Sequence, residues 1–217
     1  MSDRYTDLRE RLRQVPDLEA GTAPDWSRTT PPGARHSAVL LLFSDGHGSG
    51  APDVLLTERS LTLRSHAGQV SFPGGGIDTG DDGPAAAALR EAQEETGVDA
   101  AGIEVVGMLT PMYLPPSGHV VTPVLAWWHS PSVVGPLDAA EVASVVRAPL
   151  AELLDPANQT RVRHPSGYVG LAFRVRGLFV WGFTAGLLER VLGLAGYELA
   201  PDAPLEDLPA EVLARLP

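Results

Sequence analysis

Three glutamates stand close together on one short segment that is expected to be helical. Glu91, Glu94 and Glu95 are spaced three and four residues apart, and an α-helix turns by about 100° per residue. The second and third glutamates therefore fall within roughly 60° on either side of the first. Like charges at this spacing repel each other, and a divalent cation such as Mg²⁺ or Mn²⁺, which prefers hard oxygen ligands, would relieve the repulsion. The alternative is an acidic helix face that meets only solvent.

The segment that carries these glutamates has the pattern of a helix from about Pro84 to Thr96. A second face of this helix is small and mostly apolar, which lets it pack closely against a sheet. That face consists of Ala85, Ala88, Leu89, Ala92 and Thr96. Pro84 suits the first turn, Gly97 can end the helix, and Asp81 or Asp82 can cap its N-terminus. The sequence thus predicts a packed helix whose glutamates point away from its main packing face.

Short apolar runs separated by turns predict the elements that position this helix. Strands are expected at residues 37–43, 53–58, 103–110, 119–127, 171–175 and 178–181. Further helices are expected at residues 139–146 and 184–194, and a short amphipathic helix at residues 3–15, with Tyr5, Leu8, Leu12 and Val15 on one stripe. Residues 21–33 predict an irregular connector, and the tail after Leu199 is weakly patterned. Mixed strands and helices of this kind favour an α/β fold, arranged as an α/β/α sandwich.

The composition limits the classes of protein that are compatible with the sequence. The 217 residues include no cysteine, which excludes disulfides, thiolate catalysis and cysteine-bound metals. The net charge of −11 argues against a nucleic-acid partner, because non-specific binding to phosphate backbones needs a basic surface. No apolar run approaches the roughly 20 residues that span a bilayer, and we recognise no signal peptide. We therefore expect a cytoplasmic protein without a membrane partner.

The glutamate helix and the loop before it resemble a known family motif. From Gly76 to Val98 the sequence reads GIDTGDDGPAAAALREAQEETGV. This resembles the box of the Nudix hydrolases, G-x5-E-x7-R-E-U-x-E-E-x-G-U, in which U is an apolar residue. The spacing fits throughout, and one position departs, because Asp82 stands where the pattern has its first glutamate. In the family that glutamate usually supports the arginine, here Arg90, so the resemblance implies an Asp82–Arg90 contact; a helix cap is the alternative role for Asp82.

A second motif lies directly upstream of the first. Residues 55–75 read LLTERSLTLRSHAGQVSFPGG. They resemble the pattern L-L-T-x-R-S-x3-R-x3-G-x3-F-P-G-G of the branch of Nudix hydrolases that cleaves coenzyme A, and every fixed position matches. Two adjoining motifs with correct spacing leave little room for chance.

The resemblance implies a Nudix-type α/β/α sandwich with a mixed sheet and a loop–helix–loop metal site for Mg²⁺ or Mn²⁺. The implied ligands are Glu91, Glu95 and Glu94, together with the backbone carbonyl of Gly75. The implied catalytic residues are Glu91, Glu94 and Arg90. The resemblance covers roughly residues 38–194, so we assign residues 35–200 to the hydrolase domain, 1–34 to an N-terminal extension and 201–217 to a C-terminal tail.

A glutamate must orient or deprotonate the water that attacks phosphorus. Glu91 is one candidate for this role, and a glutamate on a distant loop is the other. Glu141 is the distant candidate that the sequence offers; a solvent-facing position at the start of a helix is its alternative.

Other residues of the upstream motif suit substrate binding. Arg59 and Arg64 can each pair with phosphate oxygens in a bidentate way, although solvation at the surface is the alternative for both. Gly74 would let the backbone approach the substrate closely, and a plain tight turn is its alternative. His66 can hydrogen-bond a phosphate, or serve only to shape its loop.

The implied reaction is hydrolysis of coenzyme A or a CoA derivative to 3′,5′-ADP and 4′-phosphopantetheine or its acyl form. ADP-ribose, NADH or a nucleoside triphosphate are rival substrates within the same family. A Nudix-like binding module without catalysis is a rival from another class, but it would be expected to have a broken R-E-x-x-E-E core, and that core is intact here. The expected partner is therefore a small molecule, and a homodimer is kept as one candidate assembly.

Overall fold

A mixed β-sheet forms the centre of the molecule. The computed structural model describes residues 7–20, 31–46, 51–63, 65–115 and 117–215. Within these residues the helices are α1 (Leu8–Ala20), α2 (Pro84–Thr96), α3 (Leu150–Leu153), α4 (Gly182–Leu194) and α5 (Ala210–Leu213). The first seven strands are β1 (Arg35–Ser44), β2 (Asp53–Arg59), β3 (Val70–Ser71), β4 (Gly74–Gly76), β5 (Ile103–Met108), β6 (Met112–Leu114) and β7 (His119–Trp128). The remaining strands are β8 (Val142–Pro149), β9 (Gln159–Arg163), β10 (Val169–Val175), β11 (Leu178–Val180) and β12 (Leu205–Asp207).

Strand β1 organises the larger sheet, whose order is β3-β2-β1-β7-β5. It runs parallel to β7 over nine register pairs, from Arg35–His119 to Phe43–Trp127. On its other side, β1 pairs with β2 at its C-terminal end and with the short glycine strand β4 at its N-terminal end. The sheet therefore divides beside the N-terminal half of β1, where β4 leads into the glutamate helix.

The two faces of β1 pack against different layers. Ala38, Leu40 and Leu42 belong to a cluster with the alanines of α2, whereas Leu41 and Phe43 face a larger cluster with α1 and α4. This alternation follows from the period of two along a strand, and a parallel central strand is typically buried on both faces. Helices thus cover both faces of the mixed sheet, which confirms the expected α/β/α fold class. A second sheet, of order β11-β10-β9-β12, was not predicted.

Helix α2 has the bounds that the sequence predicts. Pro84 occupies its first turn, and Gly97 ends it in the left-handed conformation with φ 71°, which costs glycine little because it has no Cβ. Its N-cap is Gly83, with no side-chain cap hydrogen bond. The prediction that Asp81 or Asp82 caps the helix is therefore wrong.

The helix predicted at residues 139–146 is also wrong. Residues 142–149 form β8, which pairs antiparallel with β2 from Asp53–Pro149 to Arg59–Val142. The local sequence is compatible with either state, and the β-branched valines suit the pleated, half-buried surface that pairing with β2 provides. In the tail, β12 runs parallel to β9, so part of the weakly patterned segment completes the second sheet.

Helix α1 begins five residues later than predicted and packs onto the core. Leu8, Leu12 and Val15 are buried in the larger cluster; Tyr5, predicted on the same stripe, lies outside the described residues. The buried carboxylate of Glu19 accepts hydrogen bonds from the backbone N–H and the hydroxyl of Thr110, and from Arg190.

The domain boundary at residue 35 stays a prediction, but the described part of the preceding segment is packed on the core. No helix in the described ranges is long and apolar enough to cross a membrane.

Replacing Leu12 by alanine tests whether α1 belongs to the cooperative fold. Leu12 is completely buried, and we expect Leu12→Ala to lower the free energy of unfolding by about 2–5 kcal/mol, the usual cost of such a cavity. Urea unfolding of the intact chain measures this quantity. The matched control is Leu205→Ala at a half-exposed site, where a change within about 0.5 kcal/mol is expected. Equal effects of the two substitutions would show that α1 is not part of the folded unit.

Candidate active site

The glycine strand β4 brings the backbone directly under the glutamate helix. A Cβ on Gly75 would overlap with the carboxyl group of Glu91, and a Cβ on Gly74 would overlap with the backbone of Ala38. The backbone N–H of Gly74 donates to Oε2 of Glu95 at 3.1 Å. Gly74 thus holds Glu95 in place. The contact between Gly74 and substrate stays a prediction. Only glycine lets strand and helix approach this closely.

Arg90 ties the helix to the loop before it. Its Nε donates to Oδ1 of Asp81 at 3.0 Å and its Nη2 donates to Oδ2 at 3.1 Å, which is a bidentate pair. Nη2 also donates to the backbone oxygen of Gly76 at 3.0 Å. On the helix itself, Nη1 donates to Glu91 at 3.0 Å and to Glu94 at 3.1 Å. One guanidinium therefore fixes the loop and two of the three glutamates.

The contact implied for Asp82 belongs to Asp81 instead, which corrects the sequence analysis. Asp82 is exposed, whereas the Asp81 side chain is held by the backbone N–H of Asp78 at 2.8 Å and by Arg90. These hydrogen bonds lower the pKa of Asp81, with that from Arg90 the largest cause. The turn between Asp78 and Asp81 decides which aspartate faces the arginine, and nothing in the composition of the loop signals that choice.

Glu95 is a carboxylate with little access to water. Its side chain is 7% exposed, and burial is the main cause that raises its pKa to about 7. The hydrogen bond from Gly74 and the positive charge of Arg59 oppose the shift, while the negative charges of Glu141 and Glu91 add to it. The ionised form of Glu95 is thus costly unless a cation lies beside it.

Glu91 and Glu94 differ in their surroundings although they share Arg90. Burial is the largest cause that raises the pKa of Glu91, Arg90 opposes it, and the charges of Glu94 and Glu141 add to it. Glu94 is largely exposed, with 61% of its side chain accessible. Arg90 therefore holds one glutamate inside the site and another at its rim.

Glu141 lies within electrostatic range of these glutamates, and its negative charge adds to the rise in the pKa values of Glu91 and Glu95. It stands in a turn before β8 and not at a helix start. Its backbone oxygen accepts from the N–H of Ser60 at 2.8 Å, so the upstream motif fixes the turn directly. Glu91 and Glu141 are the two proton acceptors that the sequence offers, and they influence each other electrostatically. The choice between them stays a prediction.

Arg59 ends β2 on the same side as Glu95. Its Nε is buried and has no hydrogen-bond acceptor among the described residues, while its charge is close enough to lower the pKa of Glu95. A buried donor without an acceptor is unfavourable, and a phosphate oxygen would satisfy it. The loop after Arg59 is closed by backbone hydrogen bonds from Arg59 to Gln69 and from Gly68 to Arg59. Arg64, the second predicted arginine, lies outside the described residues.

His66 stands in this loop with a positive φ of 58°. Its Nδ1 donates a hydrogen bond of 2.9 Å to Oε1 of Gln69. The side chain therefore shapes the loop, as one of its two predicted roles requires, and its Nε2 has no partner within the described residues.

The donor set fits a hard divalent cation. It consists of carboxylate oxygens and a nearby backbone carbonyl, the ligands that Mg²⁺ and Mn²⁺ prefer, and Glu95 is buried among other negative charges. Across the described residues, no three acidic or histidine side chains are gathered as a ready-made ion site, and Arg90 takes up oxygens of Glu91 and Glu94. The proposed ligands, Glu91, Glu94, Glu95 and the Gly75 carbonyl, stay a prediction.

The fold and the site define a class of mixed α/β proteins in which a glycine strand and a glutamate helix lie beside a half-buried arginine. A sequence model of the NUDIX domain matches residues 34–166, and the chain belongs to the Nudix hydrolase family. Members of this family act on diphosphate-containing substrates and generally use divalent metal ions. The resemblance stated from the sequence is confirmed at this level.

Two curated relatives and one solved structure illustrate the likeness. NudL of Citrobacter koseri, described as an uncharacterized Nudix hydrolase, is 43% identical over 145 residues, which are 64% of this chain and 73% of that protein. NudL of Escherichia coli K12 is 41% identical over 145 residues, with the same 64% and 73% coverage. A Nudix hydrolase structure from Nitrosomonas europaea has a TM-score of 0.49 and 14% identity, covering 82% of this chain and 81% of that chain. With a score this low, the structural likeness adds no argument about function.

Adding one methyl group to β4 tests the close approach to Glu91. We expect Gly75→Ala to lower kcat/KM by about 100-fold, because its Cβ displaces the Glu91 carboxyl group and a displacement near 1 Å can cost that much. Gly76→Ala is the matched control, since a Cβ there meets nothing within 4 Å. Steady-state kinetics of the two variants gives the comparison, and equal activities would contradict this geometry.

The neighbouring aspartates test the corrected contact of Arg90. Asp81→Asn weakens the bidentate pair that positions Arg90 and, through it, Glu91, so a loss of activity of about 10- to 100-fold is expected, the usual range for partners of metal ligands. Asp82→Asn should retain activity near that of the parent protein. The opposite ranking would assign the contact to Asp82 after all.

Proposed function

We propose that this protein is a divalent-metal-dependent pyrophosphohydrolase that cleaves the diphosphate of coenzyme A or of a CoA derivative. The observation that carries the proposal is the complete motif at residues 55–75, which leads directly into the glycine strand and the glutamate helix. Mg²⁺ or Mn²⁺ is the proposed cofactor.

The surroundings of Arg59 support a diphosphate substrate. Its buried Nε lacks an acceptor among the described residues and its charge reaches Glu95. A diphosphate bound here would give Arg59 a charged acceptor, and hydrogen bonds between charged partners are the strongest of their kind. Arg59 pairs with Val142 on β8, and Val142 directly follows Glu141. The arginine and the candidate base therefore lie at the same end of the paired strands β2 and β8.

The residues of the site then have separate tasks in the reaction. A bound divalent cation would neutralise charge on the diphosphate while water attacks phosphorus. Arg59 binds diphosphate oxygens, and Arg90 holds Glu91 and Glu94 in position. Glu91 or Glu141 takes the proton from the attacking water. The water oxygen forms a bond to the attacked phosphorus, and the bond from that phosphorus to the bridging oxygen breaks. The other phosphate leaves with the bridging oxygen. The products are 3′,5′-ADP and 4′-phosphopantetheine or its acyl form.

A substrate panel tests the proposal directly. We expect hydrolysis of CoA with Mg²⁺ or Mn²⁺, detected by mass spectrometry as 3′,5′-ADP and 4′-phosphopantetheine, and slower hydrolysis of ADP-ribose, NADH, dinucleoside polyphosphates and dNTPs. Turnover of one of these without turnover of CoA would refute the substrate.

The same assay separates an enzyme from a binding module. Glu95→Gln should abolish metal-dependent turnover, because it removes the charge of a proposed ligand. Glu189→Gln, on α4 and paired with Arg161, is the control that keeps activity. Absence of metal-dependent turnover in the parent protein would favour a binding module without catalysis.

The cytoplasmic location and the homodimer stay predictions. A small-molecule partner is in keeping with the family, and we propose that this partner is CoA.

A further inference from the structure

A basic pair stands at the start of the two central parallel strands. Arg35 opens β1 and His119 opens β7, and the two residues are register partners. Their side chains therefore lie on the same face of the sheet as Ser37, two residues along β1. Nδ1 of His119 shares a hydrogen bond of 3.2 Å with the hydroxyl of Ser37. This face is the one opposite the glutamate helix, since it continues into Leu41 and Phe43.

The loop of the upstream motif approaches the same place from another element. His66 is close enough to His119 for its charge to lower the pKa of His119, after burial and the charge of Arg35 as the larger causes. The three side chains thus come from β1, β7 and the loop after β2. They are brought together by the fold and not by the local sequence.

No acidic side chain offsets this group within the part of the chain that the structure describes. Arg35 donates to one backbone oxygen, that of Ser117 at 3.3 Å, and has no carboxylate partner there. When Nδ1 of His119 accepts from Ser37, its Nε2 carries the hydrogen and is a donor. Arg35 is exposed and His119 is half-buried, so this group forms a local excess of basic side chains in a chain of net charge −11, and such a group attracts anions.

The basic group and the glycine strand β4 are connected through β1. Ser37 pairs with Gly76 in β4, whose oxygen is bound to Arg90. Arg35 is two residues further, about 7 Å along the strand. In CoA a single ribose separates the diphosphate from the 3′-phosphate, and the subsite requires one ligand to extend from the face of the glutamate helix to the opposite face of β1.

We propose that Arg35, His119 and His66 form a subsite for the ribose 3′-phosphomonoester of CoA, while Arg59 serves the diphosphate. The proposal rests on the proposed function and extends it by naming the residues that distinguish CoA from dephospho-CoA. Arg35 supplies a permanent charge with several donors, and His119 supplies its Nε2–H. Nδ1 of His66 donates to Gln69, so His66 offers a second N–H to a phosphate only as the imidazolium.

Binding of product analogues tests the subsite without any turnover. Calorimetry with the full chain should show that 3′,5′-ADP binds at least about tenfold more tightly than 5′-AMP, the effect of one hydrogen-bonded charge pair. Arg35→Gln should remove most of this preference and leave 5′-AMP binding unchanged. His119→Asn, which can keep the bond to Ser37, should reduce the preference partly, and it serves as the second variant if Arg35→Gln folds poorly. Arg163→Gln, paired with Asp207 at a distant surface, should keep the full preference.

Several results would overturn the subsite. These are an absent preference in the parent protein, an unchanged preference in both variants, or an equal loss for 3′,5′-ADP and 5′-AMP. Equal binding of 2′,5′-ADP and 3′,5′-ADP would overturn the assignment to the 3′-phosphate.

Kinetics separates the failure of this proposal from that of the proposed function. Arg35→Gln should raise KM for CoA by about tenfold and leave KM for dephospho-CoA unchanged. If CoA is hydrolysed but both KM values change alike, the subsite is wrong and the function stands. If CoA is not hydrolysed although Arg35→Gln removes the preference for 3′,5′-ADP, the function is wrong and the phosphomonoester subsite stands.

Discussion

The electrostatic cost of a buried carboxylate among other carboxylates governs this site. Glu95 is shielded from water beside Glu91 and Glu141, and their repulsion adds to the cost of burial. Within the described chain, this charge is opposed by the N–H of Gly74 and by Arg59. Both are weak compensation compared with a divalent cation at contact distance, because Coulomb energy grows steeply as charges approach in a medium of low polarity. A divalent cation, as proposed, would remove this cost.

Arg90 is the second determinant of the architecture. Its guanidinium donates to Asp81, the Gly76 carbonyl and two glutamates, which ties the loop to the helix. The glycines of β4 then set the distance between helix and sheet. Behind them, the small side chains of α2 pack on the central strand, which explains why the helix is rich in alanine. The position of the glutamates on α2 thus depends on close packing of the alanine face of the same helix.

Local signals explain what the sequence predicted well. Helix α2 is delimited by Pro84 and Gly97, as the sequence predicts. The prediction that its glutamates all point away from the packing face is wrong for Glu95, which is buried, whereas Glu94 is exposed. Long-range contacts explain the rest. Residues 139–146 have no decisive local preference, and pairing with β2, some 90 residues earlier, makes most of them a strand. The choice of Asp81 over Asp82 depends on one loop conformation, and the meeting of Arg35 with His119 depends on strand register.

The most direct measurement of the central claim is anomalous diffraction from a crystal of this protein soaked with Mn²⁺. The account predicts a peak about 2.1 Å from carboxylate oxygens of Glu91 and Glu95, the distance typical of a small hard divalent cation. The Glu91 side chain should then have exchanged Arg90 for the ion. A map at saturating Mn²⁺ with no peak beside these carboxylates, and with Glu91 still bound to Arg90, would contradict the account.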